Sequence, residues 1–337
     1  MANLNVEFMG LNLKNPIIVG ACTLSATVEG AKDLEEAGAA AIVYKSLFEE
    51  QIIMERAQLS DELDEYAHRN AEMTSLFPAL EHAGPKAHLL KLKEVKENVN
   101  IPVIASLNCL YDVTWFEYAK ELEDVGVDAL ELNFYQMPID GEKTAEQMED
   151  EKVKIVETLK ERLSIPFSIK LSPYYTNILN FVQRLDKAGA SAFVLFNRLF
   201  QPEIDVEKEA HVTNFNLSNQ GDFKLGLRYV GLTHGKVTGD LCGANGIYGS
   251  KDVLQMLLSG AKAVQMVSSL YKNTPMVIEK VLYELDEWMD KKGYKSVDEF
   301  RGKLSDKELK ASDVYYRAQY LDFLLHPEEV INKNLMR

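Results

Sequence analysis

Short apolar runs alternate along the chain with longer segments in which apolar and polar positions recur at helical spacing. The candidate strands are Ile17–Gly20, Ala41–Lys45, Val103–Leu107, Ala129–Asn133, Phe167–Leu171 and Ala192–Phe196. A weaker one lies at Asp240–Ala244 and the last at Ala263–Met266. Most are continuously apolar rather than alternating, as strands buried on both faces of a parallel sheet must be. The segments between them, Trp115–Val125 and Lys152–Arg162 among them, have helical periodicity. EEAGAAAIV, EDVGVDALEL, DKAGASAFVL and LLSGAKAVQM repeat one helix-to-strand turn, with Gly38, Gly126, Gly189 or Gly260 ending the helix in a left-handed cap. Eight such strands with helices between them predict a (β/α)8 TIM barrel in the α/β class. An open doubly wound sheet is the alternative. Leu47–Pro85 reads as an insertion after the second strand, and Pro275–Arg337 as a helical C-terminal extension. No Pro/Gly/Ser-rich linker interrupts the chain, so 1–337 is read as a single domain with its barrel core at about 15–271.

Charge and composition narrow the partners. With 52 acidic against 37 basic residues the net charge is −15, a field that disfavours nucleic acid and anionic membrane surfaces. The acidic run Glu49–Glu72 reads as a solvated helix face. No stretch of 18 apolar residues suggests a membrane span, and the first residues do not read as a secretory signal. Cys22, Cys109 and Cys242 are widely spaced and without a CxxC pair, which points to a reducing cytoplasm rather than a disulfide framework or a metal site.

Functional groups of such a barrel gather at the C-terminal ends of its strands. Those ends read Gly20-Ala21-Cys22, Lys45-Ser46, Asn108-Cys109, Asn133, Lys170 and Asn197, followed by a glycine-bearing stretch. Amides that donate and accept suit a heterocycle with alternating N–H and C=O edges. Lysines in a partly dry mouth suit an electron-rich carbonyl edge or a substrate carboxylate. The same lysines leave open a non-redox aldolase or isomerase working through a Schiff base on Lys170 or Lys45. Cys22, Cys109 and His234 read as structural residues.

In their order and spacing these pieces resemble the dihydroorotate dehydrogenases, which are FMN-binding (β/α)8 barrels. The resemblance runs through NPIIVGA, VYKS, IPVIASLN, ALELN, IPFSIKLSP and VLFN, then Leu217–Ser218, Leu227–Arg228 and ANGIYGSKDVLQMLLSGAKAVQMVSS, about Asn15 to Tyr271. It implies that Ala21, Lys45, Ser46, Asn133 and Lys170 contact the flavin, with Lys170 at the isoalloxazine carbonyl edge. It implies that Lys45, Asn133 and Asn197 bind a planar small-molecule substrate. Ser218, Asn245, Gly246 and Ser268 would surround the FMN phosphate. Dihydroorotate oxidation in pyrimidine biosynthesis and a homodimer are the expectations that follow.

The departures bear on the chemistry. The family's catalytic Cys or Ser, three residues after the ELN asparagine, is Gln136 here, and an amide is no general base. An expected asparagine is Pro138, and two glycines of the phosphate region are Asn245 and Val267. Tyr135 is the residue left to supply a proton if the reaction runs as the reduction of a different C=C substrate. A flavin-binding relative without catalysis is the further alternative.

Overall fold

The computed structural model describes residues 2–50, 52–53, 86–109, 112–135, 139–198, 201–212, 217–309, 314–316, 320, 324–325 and 327. Two short strands, β1 (Val6–Phe8) and β2 (Leu11–Leu13), form an antiparallel hairpin ahead of the main sheet. The parallel strands are β3 (Ile17–Val19), β4 (Ala41–Phe48), β5 (Val103–Asn108), β6 (Ala129–Phe134), β7 (Phe167–Leu171) and β8 (Ala192–Leu195). A second antiparallel pair, β9 (Glu203–Asp205) and β10 (Ala210–Val212), follows β8. The last two parallel strands are β11 (Asp240–Gly243) and β12 (Ala263–Met266), and β12 pairs with β3 to close an eight-stranded barrel.

The barrel therefore forms as the apolar runs predict. Every residue of β5, β6, β7, β8 and β12 is buried, because these strands are enclosed by the barrel interior on one side and by helices on the other. The helices are α1 (Val28–Glu36), α2 (Lys86–Asn98), α3 (Asp112–Asp124), α4 (Ala145–Arg162), α5 (Ile178–Ala188), α6 (Lys224–Thr233), α7 (Ser250–Ser259), α8 (Ser268–Asn273) and α9 (Val277–Lys292). Their start signals are local: Thr144 accepts from the Gln147 amide while Gln147 reaches back to Thr144, a capping box at the head of α4. The four glycines of the repeated turn all have positive φ, from +93° to +119°, which spares the left-handed strain a side chain would add.

The β1–β2 hairpin lies across the N-terminal end of the barrel, where the Met9 amide donates to Asp240 Oδ2 at 2.8 Å and Phe8 and Leu13 are buried. Sequence periodicity does not announce this hairpin or β9–β10, since strands of three residues carry too little pattern. Of the C-terminal extension, α9 buries Ile278, Val281, Leu285 and Met289 and packs against α7. Its Trp288 joins Tyr294 and Phe300, which follow the helix, in an aromatic cluster. Most of the insertion after β4 lies outside the described residues. Within the acidic run, Glu49 departs from the expected solvated face, being 5% exposed and accepting from Thr114 Oγ1 at 2.7 Å, whereas Glu50 is exposed and most of the run lies outside the described residues.

Candidate active site

A cavity of about 490 Å³ opens at the C-terminal ends of the barrel strands, within the roughly 300–1,000 Å³ usual for small-molecule sites. Its wall is assembled from separate strand ends. Ala21, Cys22 and Thr23 follow β3; Lys45, Ser46 and Phe48 belong to β4; Asn133 and Tyr135 come from the end of β6. Lys170 stands on β7, and Phe196, Asn197 and Arg198 follow β8. Leu217 and Ser218 precede α6, Ala244–Ile247 follow β11, and Gln265, Val267, Ser268 and Tyr271 complete the ring from β12 and α8. Most residues expected at a site from the sequence thus line one cavity; Asn108 and Cys109 are exceptions, and Gln136 lies outside the described residues with Pro138.

Asn108 and Cys109 do not line it. Asn108 ends β5 fully buried, paired in register with Phe48 of β4, so that sector of the rim is sealed. Ser106, one step below, instead supports Ser46 through a 2.6 Å hydroxyl contact. Burial, with Glu49 and Glu50 nearby, pushes the Cys109 thiol well up, and burial raises the Cys22 and Cys242 thiols too. None of the three is poised as a thiolate nucleophile at neutral pH. His234 lies wedged against Gly260 and Gly302, a packing role, and burial followed by Arg301 and Lys307 lowers its pKa.

At one end of the cavity the polar groups are side chains. Asn197 Nδ2 donates to Asn133 Oδ1 at 3.0 Å, which aligns two amides from the strands on either side of β7. Lys170 Nζ lies 2.8 Å from Gln265 Oε1 and 3.2 Å from Glu131 Oε1. Lys45, at the exposed bend of β4, makes no hydrogen bond among the described residues. His88, on α2, packs edge-on against the Tyr44 ring at 5.1 Å. Burial, and then the positive charge of Lys45, lowers its pKa to about 4. It is therefore neutral at pH 7.

At the other end the polar groups are hydroxyls and backbone. Ser218 Oγ donates to Ser268 Oγ at 2.7 Å, and the Gly246 amide donates to Ser218 Oγ at 3.2 Å. Tyr248 donates its hydroxyl to the Ser218 carbonyl. Asn245 adopts φ +71° without being glycine, and its buried Oδ1 has no hydrogen-bond partner. Gly246 follows at φ +71°, and a Cβ there would stand 2.6 Å from the Asn219 carbonyl oxygen, so the loop closes only with glycine. Gly20 is matched to Val267 in the same way: a Cβ at Gly20 would lie 2.8 Å from Val267 Cγ2, so the bulk at Val267 sits in space a glycine leaves. Tyr271 reaches back to the Thr23 amide at 3.0 Å and closes the seam between β12 and β3.

Between these ends the wall is apolar, from Ala21, Phe196, Leu217, Ile247 and Val267. A cavity with cations and amides at one end, hydroxyls and backbone amides at the other and an apolar middle suits a planar heterocycle carrying an anionic tail. Sequence reading missed Glu131, Gln265, Ser106 and the Thr23–Tyr271 contact. A signal existed for two of them: Glu131 and Gln265 are the polar residues in ALEL and AVQM, and a polar side chain inside such a strand must find a partner.

A family model described as dihydroorotate dehydrogenase matches residues 3–289. The chain is 28% identical over 308 residues to the dihydroorotate dehydrogenase B (NAD(+)) catalytic subunit of Thermoplasma volcanium, covering 90% of this chain and 98% of that protein. It is 27% identical over 305 residues to the dihydroorotate dehydrogenase A (fumarate) of Limosilactobacillus reuteri, covering 87% and 96%. Among the described residues no cluster of His, Cys, Asp and Glu is suited to a metal ion, and no helix is long and apolar enough to cross a membrane.

Proposed function

The chain belongs to the dihydroorotate dehydrogenase family, and from that premise we propose that it is an FMN-dependent oxidoreductase converting dihydroorotate to orotate in pyrimidine biosynthesis. The observation that carries the cofactor is the phosphate-like end of the cavity. Ser218 Oγ, Ser268 Oγ and the Gly246 amide meet on one stretch of the cavity lining, a set of hydroxyls and a backbone N–H whose chemistry suits a phosphate. Ser218, Asn245, Gly246 and Ser268 would hold the phosphate, with Ala21, Ser46, Lys45 and Asn133 against the ring and Lys170 at its carbonyl edge.

When bound, FMN supplies a two-electron acceptor for hydride from a C–H bond. The chain's residues do the rest. Asn133 and Asn197, locked together by their mutual hydrogen bond, present amide edges that match the alternating N–H and C=O groups of a cyclic imide. Lys45 offers an uncommitted ammonium to a substrate carboxylate. Phe48 and Phe196 add apolar walls at the mouth.

The proton acceptor is the point at which a second reading gains support. Gln136 cannot take a proton, and Tyr135 lines the cavity two residues after Asn133. A reductase of a different C=C substrate, in which Tyr135 donates a proton, follows from that pair. We place the protein in the cytoplasm as a homodimer, with 1–337 as one domain.

Anaerobic addition of dihydroorotate to the FMN-loaded protein, followed at the flavin band, tests the reading. Bleaching is the expected result. A yellow protein that does not bleach with dihydroorotate but does so with another cyclic substrate favours the second reading. A protein that refuses FMN overturns both.

A further inference from the structure

The inner end of the cavity rests on a closed ring of three polar side chains. Gln265 Oε1 and Glu131 Oε1 both accept from Lys170 Nζ, and Gln265 Nε2 donates to Glu131 Oε2. The three come from β6, β7 and β12, so the ring spans the barrel interior, and Glu131 is 0% exposed. Both carboxylate oxygens and both ends of the Gln265 amide are used. Of the three ammonium protons two are committed, which leaves one for whatever the cavity holds. Lys170 and Gln265 line the cavity and Glu131 does not. Glu131 therefore reaches a ligand only through Lys170 and Gln265.

Resting on the flavin reading above, we infer that Glu131 and Gln265 are positioning residues that fix the Lys170 ammonium and set the reduction potential of the flavin. Two-electron reduction adds negative charge to the isoalloxazine. A bare buried cation beside it favours the reduced form strongly, because charges interact far more in a poorly screened interior than in water. Glu131 offsets that cation, so the Lys170–Glu131 pair is neutral and its pull on the reduced ring is moderated. Gln265 sets the geometry: its amide bridges the two and keeps Nζ from swinging toward the carboxylate alone. A buried lysine without a counter-charge would also be costly in itself, so the pairing serves stability as well. The reduction potential separates the two roles, since its sign follows charge and not packing.

The test is a spectroelectrochemical titration of the FMN-loaded protein at fixed pH. Glu131→Gln is expected to raise the potential by at least about 30 mV, a tenfold change in the two-electron equilibrium. Lys170→Met is expected to lower it by at least as much. The double variant, which removes both charges, is expected to lie nearer the wild type than Lys170→Met does. Gln265→Glu, which adds a second carboxylate and keeps the side-chain size, is expected to lower the potential and serves if Glu131→Gln does not fold. Wild-type potentials in both Glu131→Gln and Gln265→Glu would overturn the inference while leaving FMN binding intact. Wild-type protein that takes up no FMN would instead remove the flavin reading at the control.

Discussion

The two ends of the cavity are built from different materials. The lysine–asparagine end depends on side chains that grip one another across strands, as in Asn197 on Asn133 and Lys170 on Glu131 and Gln265. The serine–glycine end depends on the course of the backbone, through two successive residues of positive φ at Asn245 and Gly246 and a loop that closes on Ser218. Side-chain ends change with one substitution and keep their fold. Backbone ends do not, because a new side chain must displace main chain. On the flavin reading, the difference teaches that cofactor retention follows fold geometry, whereas substrate choice is open to local replacement.

Substitutions at each end give the sharpest contrast. Gly246→Val is expected to weaken FMN retention more than a hundredfold, since it adds left-handed strain of about 1–2 kcal/mol to a clash with main chain. Dialysis followed by flavin fluorescence measures it. Lys170→Ala, at the opposite end, is expected to weaken retention by roughly ten- to a hundredfold and to shift the flavin spectrum, because it removes a charge-assisted contact of about 1.5–3 kcal/mol. Equal losses from both variants would break the contrast.

Gln136→Cys restores a group that ionises and is expected to raise the rate of flavin bleaching by dihydroorotate at least tenfold, within the roughly 10²–10⁴ that general-base catalysis provides. Stopped-flow measurement at saturating substrate reads it, and a flat rate with FMN still bound would remove Gln136 as the explanation of the substrate range. Ser268→Ala is the mildest test of the backbone end. With Ser218 and the Gly246 amide still in place, loss of one hydroxyl is expected to weaken FMN about fivefold.

The pH dependence of folding isolates the wall behind the lysine end. His88 is held neutral down to about pH 4 by burial and by Lys45, whereas in the unfolded chain it protonates near 6.5. Its folded pKa is the lower one, so the unfolded state binds the extra proton and stability falls as pH drops from about 6.5 to about 4. The loss amounts to roughly 3 kcal/mol at its limit. Thermal melting of His88→Gln against wild type across that window should show a flatter acid limb in the variant, with the two curves parallel above pH 7.

The sequence made the eight strands legible because burial on both faces leaves nearly unbroken apolar runs such as FSIKL and AFVL. It also marks out the cavity wall, since a residue that ends such a run stands at the mouth, as Lys45, Asn133 and Asn197 do. It misjudged Asn108, because a strand end says where a residue sits along the barrel axis and not whether its neighbours seal it off. It passed over Glu131 and Gln265, whose meaning lies in a hydrogen bond spanning 134 positions of sequence. Local pattern has no access to a contact of that range. Glu49 was lost for a related reason, as the Thr114 hydroxyl that satisfies it comes from a different helix.

The barrel interior below the cavity is filled by the buried side chains of its own strands, and the hairpin pinned by the Met9 amide on Asp240 covers the foot of that packed core. No path for a small molecule runs through such a plug. On the flavin reading, an electron donor and an electron acceptor that both enter at the mouth take turns there, and steady-state velocities plotted in double-reciprocal form are expected to give parallel lines.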